Sequence, residues 1–275
     1  MTGSSVSPGI AGDINHLTRF LAHEQIPDLR ECNDVDCIII CASAVLNQAS
    51  TLFDVLQFRP SLTKTLVLVG GIGHSTSLIY EAVARHPRFH TIHDQIVGLP
   101  EAQVLLRILE EFFDRAMIEN EGCRVLVEDR STNCGANAIE TRKILEHSGI
   151  TDAKICIVIQ DQTMSLRTIA SFDKAFEDVP KDSRPQFLAC PIFVPQVQMI
   201  NGELVFLLDG NDQIRAEDLW ETKRLCELLV GEIARLKDDE NGYGPKGKGF
   251  IGHVDVPVEV EESARRVREQ LGVTR

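Results

Sequence analysis

The chain is short of positive charge: 28 Lys and Arg stand against 41 Asp and Glu in 275 residues, a formal net charge of −13. Nucleic acid and anionic membrane surfaces need clustered Lys and Arg, so neither is an expected partner. Long hydrophobic runs are also lacking. The most apolar stretch, Cys37-Ile-Ile-Ile-Cys-Ala42, falls far below the about 18–20 residues of a membrane helix. The opening Met1-Thr-Gly-Ser-Ser-Val-Ser-Pro8 has neither a basic nor an apolar region, so no secretory signal is expected. The eight cysteines, at 32, 37, 41, 123, 134, 156, 190 and 226, form no C-x-x-C pair. Several lie in apolar runs, where Cys acts as a small hydrophobe, so a reduced, cytoplasmic protein without a metal site is expected. No G-x-S-x-G elbow, H-E-x-x-H helix or Walker loop occurs, which removes the commonest hydrolase, zinc-protease and nucleotidase signatures. With 43% hydrophobic and 25% charged residues, disordered and fibrous classes are excluded.

What is present is a rhythm. Short apolar runs at 36–41, 65–69, 124–128, 154–159 and 186–190 are too short for helices and rich in β-branched residues. Between them lie stretches of helical spacing at 45–58, 75–86, 101–119, 133–147 and 164–176. Strands apolar on both faces, alternating with helices, predict a doubly wound, mainly parallel α/β sheet of Rossmann-like type, covered on both faces. A helix over 11–30 and a long one over 215–237 are expected to pack on a core of about 30–210. Residues 87–100 read as an exposed connection, and 211–275 as a C-terminal helical and loop extension of a single domain spanning the chain.

Ligands in such sheets sit at the carboxyl ends of the strands, so the segments after each run carry the functional candidates. After the first come Ala42-Ser43-Ala44, small enough for a ligand to approach the backbone. After the second comes Gly70-Gly71-Ile72-Gly73-His74-Ser75-Thr76. Its glycines can expose amides to an anion, Ser75 and Thr76 can cap the next helix, and His74 is a candidate acid/base. After the third, Glu128 and Asp129 precede Ser131, Thr132, Asn133 and Asn137. This reads either as a helix cap with a solvated acidic pair, or as a carboxylate for a ribose diol with hydrogen-bonding neighbours. After the fourth come Gln160, Asp161, Met164 and Arg167; Arg167, about one turn into its helix, can clamp a carboxylate or phosphate. The glycine-rich segment 238–255 reads as a lid or a flexible tail.

Four of these segments, Gly70–Thr76, Glu128–Cys134, Gln160–Met164 with Arg167, and Gly242-Tyr-Gly-Pro245 through His253-Val-Asp255, together resemble the YdcF-like proteins of the SanA–ElyC–YdcF superfamily, a domain of unknown function. The resemblance runs in order from about residue 11 to residue 260. It implies an α/β fold and a site for S-adenosyl-L-methionine built from these motif residues. The chain departs from the family at Ala42-Ser43, where relatives carry Gly or Asn, which tightens the approach to the backbone.

Three readings follow. The first is a small-molecule binder for S-adenosyl-L-methionine or a related nucleoside, with the possibility of methyl transfer. The second is a hydrolase or group-transfer enzyme on a phosphorylated or acidic substrate, with His74, Glu128 and Asp129 in acid/base work and Arg167 stabilising negative charge. The third is a ligand sensor that reshapes 238–255 to dock another protein.

Overall fold

The computed structural model describes residues 9–208 and 214–273; residues 1–8, read above for a leader, lie outside them. The five apolar runs form β1 (Val35–Cys41), β2 (Thr63–Val69), β3 (Arg124–Glu128), β4 (Ile155–Ile159) and β5 (Gln186–Ala189), all parallel, in the order β3-β2-β1-β4-β5. Strand alternation divides their side chains between two cores. Ile38, Ile40, Leu66, Leu68, Ile157 and Ile159 face α2 (Asn47–Phe58), α3 (Thr76–Arg85) and α5 (Glu101–Phe112). Cys37, Ile39, Val67, Val69 and Val158 face α7 (Cys134–His147) and α8 (Ser165–Ala175). Helices therefore cover both faces of a doubly wound sheet, and the direction of winding reverses between β1 and β4.

A further layer lies outside α8. There α1 (Ile10–Ala22), the antiparallel hairpin β6 (Gln196–Ile200) and β7 (Glu203–Leu207), α9 (Thr222–Leu236) and α10 (Val258–Leu271) share one apolar cluster with Leu166 and Ala170 of α8. The hairpin and α10 form the parts of this layer that sequence periodicity does not announce. Among the described residues, no helix is long and apolar enough to cross a membrane.

Several boundaries differ from expectation for local reasons. The first helix stops at Ala22, because His23 takes the left-handed conformation and its N–H bonds back to the Arg19 carbonyl. Residues 87–100 are not a bare connection: a 3-10 turn and the short α4 (His93–Ile96) bury Phe89, Ile92 and Ile96. The expected helix over 101–119 is two, since Asp114 caps a separate α6 (Arg115–Asn120) by accepting the Met117 N–H at 2.9 Å. The long helix begins at Thr222, behind a 3-10 turn at Ala216–Asp218.

Candidate functional site

The carboxyl ends of the strands bring the segments after β1, β2, β3 and β4 together. The glycine turn is held from both sides. A Cβ on Gly71 would collide with the Ser131 carbonyl and stand 2.9 Å from that of Asp129, so this glycine serves close packing on the β3–α7 turn. On the other side the Glu101 and Ala102 amides at the start of α5 donate to the Gly71 and Gly70 carbonyls, at 3.1 and 2.6 Å. Gly70, with φ of +148°, adopts a backbone that favours glycine.

The turn's own glycine amides are engaged. Gly70 N–H donates to the Glu128 carbonyl at 2.9 Å, Gly71 N–H to Ser131 Oγ at 3.2 Å, and Gly73 N–H to Thr76 Oγ1 at 2.7 Å. The expected cradle of open glycine amides for an anion is thus corrected: these donors hold the fold. Ser75 occupies the N-cap position of α3 without a side-chain cap bond, another correction, while Thr76 hydrogen-bonds Glu101 at 2.9 Å. His74 and Ser75 are exposed at the rim.

The two carboxylates after β3 are unequal. Glu128 is buried and closes its own turn: Oε1 accepts the Arg130 and Ser131 N–H groups at 2.7 and 2.9 Å, and Oε2 accepts the Ser131 hydroxyl at 2.6 Å. Asp129 is half-buried; Oδ2 accepts Gln103 Nε2 at 2.9 Å, and Oδ1 accepts no hydrogen bond from the described residues. Of the pair, Asp129 has an oxygen to offer a ligand. Asn133 caps α7 by accepting the Ala136 N–H at 3.0 Å, with Thr132 exposed beside it. Asn137 hydrogen-bonds the Cys41 thiol, which burial pushes well up.

The segments after β1 and β4 meet where the winding reverses. Asp161 is buried; Oδ1 accepts the Thr163 N–H and hydroxyl at 2.9 and 2.6 Å, and Oδ2 accepts Ser43 Oγ at 3.3 Å. Burial raises its carboxyl above the ordinary range, with Glu232 adding to the rise and the Thr163 and Ser43 donors opposing it. Gln160 is buried behind it, its Oε1 accepting the Asp161 N–H at 2.6 Å, and Met164 opens α8 without a side-chain cap.

Arg167 is neither the exposed helix arginine nor the open clamp read from the sequence. It is buried, and Nε and Nη2 close on Glu232 of α9 at 2.5 and 3.2 Å. Arg235 takes the same carboxylate at 2.6 Å. Burial opposes the Arg167 charge, but Cys134 and Glu232 outweigh it, so the guanidinium stays protonated more firmly than usual. Its Cζ lies 5.9 Å from the centroid of the Tyr243 ring. Cys134, in contact with Thr168 Oγ1 at 2.9 Å, is partly buried beside this cluster.

Tyr243 belongs to the segment read as a lid or tail. That segment is folded on α9, with Tyr243 N–H donating to the Arg235 carbonyl at 2.8 Å and Gly244 N–H to that of Lys237 at 3.2 Å. A Cβ on Gly242 would collide with the Lys237 carbonyl. His253 bridges Asp238 and Asp255 at 2.9 Å each, which raises its pKa.

Sequence reasoning passed over Glu101, Gln103 and Glu232. Glu232 carried a signal: it interrupts the apolar stripe of Leu225, Leu229, Ile233 and Leu236, where a charge needs a buried partner. Glu101 follows Pro100 as an ordinary first-turn acid, and nothing local marks it. Two surface concavities lie away from the strand ends, one of about 500 Å³ at the α5–α6 corner and one of about 320 Å³ between α9 and α10. Among the described residues no group of three or more His, Cys, Asp or Glu is placed to hold a metal. No protein-family model matches the chain.

Proposed function

We propose that the protein binds a small, positively charged nucleoside-type molecule at the carboxyl ends of its strands, with S-adenosyl-L-methionine the first candidate. The observation that carries this reading is the charge balance there. Glu101, Asp129 and Asp161 gather around the ends of β1 to β4, while Arg167 is already closed on Glu232. The glycine amides that would receive a phosphate or carboxylate have internal partners. Such a surface favours a ligand with a cationic centre and hydroxyls to donate over an acidic substrate. Crevices at a reversal of strand order are also where open α/β sheets receive ligands. Asp129, with its uncommitted Oδ1, suits a ribose diol; Glu128, engaged on both oxygens, does not.

A thermal-shift titration with S-adenosyl-L-methionine, S-adenosyl-L-homocysteine and inorganic phosphate tests the reading. At about 100 times its dissociation constant a ligand adds roughly 2.7 kcal/mol of stability, readily seen as a rise in Tm. Stabilisation by the cationic nucleoside is expected. Stabilisation by phosphate alone would overturn the reading in favour of an acidic substrate.

A further inference from the structure

Five carboxylates stand near the strand ends, and their partners sort them. Glu128 has both oxygens in its own turn, Asp161 is shared between Thr163 and Ser43, and Glu232 lies between Arg167 and Arg235. Asp129 keeps one oxygen but is held by Gln103. Glu101 is likewise half-engaged. Its Oε1 accepts the Thr76 hydroxyl at 2.9 Å, and its Oε2 accepts no hydrogen bond from the described residues. A Cβ on Gly70 would stand 3.1 Å from that Oε2 and 3.2 Å from the Ala42 Cβ. It would also stand 2.9 Å from the Glu101 Cβ, so the Glu101 side chain itself fills the space over Gly70 between the ends of β1 and β2.

Its electrostatic surroundings are as spare. Burial raises the Glu101 carboxyl above the ordinary range and the Thr76 hydroxyl lowers it, with no cationic side chain among the influences. A partly desolvated carboxylate without a counter-charge is a receptor for one, because the dehydration that penalises it alone strengthens its pairing with an incoming cation.

We propose that Glu101 is the residue that reads the positive charge of the ligand, its Oε2 pairing with an ammonium or sulfonium centre brought to the carboxyl ends of the strands. This rests on the binding reading above and adds to it the group that selects charge. Thr76 is then a positioning residue, holding Oε1 so that Oε2 stays turned to the strand ends.

Calorimetric titration of the whole chain and of Glu101→Gln with S-adenosyl-L-methionine and with adenosine is the test. Gln preserves shape and an acceptor for Thr76 while removing the charge. The expected result is a loss of about 10- to 100-fold for S-adenosyl-L-methionine, the range of a charge-assisted hydrogen bond, with adenosine unchanged. Glu101→Asp, which keeps the charge, should recover part of the loss. An equal loss for both ligands, or no loss, would overturn the role of Glu101. If the unmodified protein binds neither molecule, the nucleoside reading falls while Glu101 is still judged. Methylammonium and trimethylsulfonium chloride, against sodium chloride at matched ionic strength, should then raise the Tm of the unmodified protein and not of Glu101→Gln. An identical response of the two proteins would overturn the proposal.

Discussion

The turn after β3 and the start of α5 grip the glycine turn from opposite sides, each with a carboxylate, and those carboxylates have opposite fates. Glu128 is consumed by its own turn, accepting two backbone N–H groups and a hydroxyl within three residues. Glu101 has one local partner and an oxygen left over. Carboxylates that look alike in a sequence separate once their hydrogen bonds are followed: one shapes the backbone, and the other is left available to a ligand. A buried acid is evidence of a binding role only after its structural obligations have been counted.

The comparison can be broken at several points. The largest effect is expected from the most deeply committed carboxylate, Glu232, 1% exposed against Arg167. Glu232→Leu should lower stability by about 3–5 kcal/mol, since it leaves a buried guanidinium unpaired, and urea unfolding will show it as a reduced midpoint. Replacing Arg167 by Met in the same chain should recover much of that loss. Gly71→Ala should follow, at about 1–3 kcal/mol of overpacking, because the added methyl meets the Ser131 carbonyl. A small loss there would show that the β3–α7 turn yields easily and that the grip is loose.

Glu128→Ala strips the β3–α7 turn of its acceptors and should destabilise by about 1–3 kcal/mol, while ligand affinity measured well below the melting transition is retained. Glu101→Gln should do the reverse, changing stability by less than about 0.5 kcal/mol and affinity strongly. An exchange of these two outcomes would invert the assignment. The smallest effect concerns pH. Glu101 has its folded pKa raised above its ordinary 4.5 by burial, with Thr76 opposing. In the window between the ordinary and the folded value the native state keeps a proton that the unfolded state has released. Stability therefore falls as pH rises through that window. Chemical denaturation across it should show a shallower fall for Glu101→Gln, and an unchanged slope would show that Glu101 does not carry the effect.

Much of the architecture was legible in the chain, for reasons that are local. Runs such as Cys37–Cys41 and Leu66–Val69 are apolar on both faces and too short for helices, and only a covered sheet accommodates them. The helices between them carry their own spacing. Features that escaped notice depend on partners distant in sequence or on a single residue's conformation. Examples are the hairpin of β6 and β7, the left-handed His23 that ends α1, and the Asp114 cap that divides the helix after 101.

For the site, periodicity and spacing alone determined the neighbourhood: strand ends must meet along one edge of a parallel sheet, so Ser43, Gly70, Asp129 and Asp161 belong together whatever they bind. Which of them retain capacity for a ligand was decided by tertiary structure. A hydrogen-bond donor or acceptor declares its type in the sequence, but whether it is already engaged depends on which atoms folding brings within about 3 Å. Arg167 meets Glu232 across 65 positions and Gly71 meets Ser131 across 60, whereas Glu101 is brought to the strand ends with one oxygen left unengaged by the described residues.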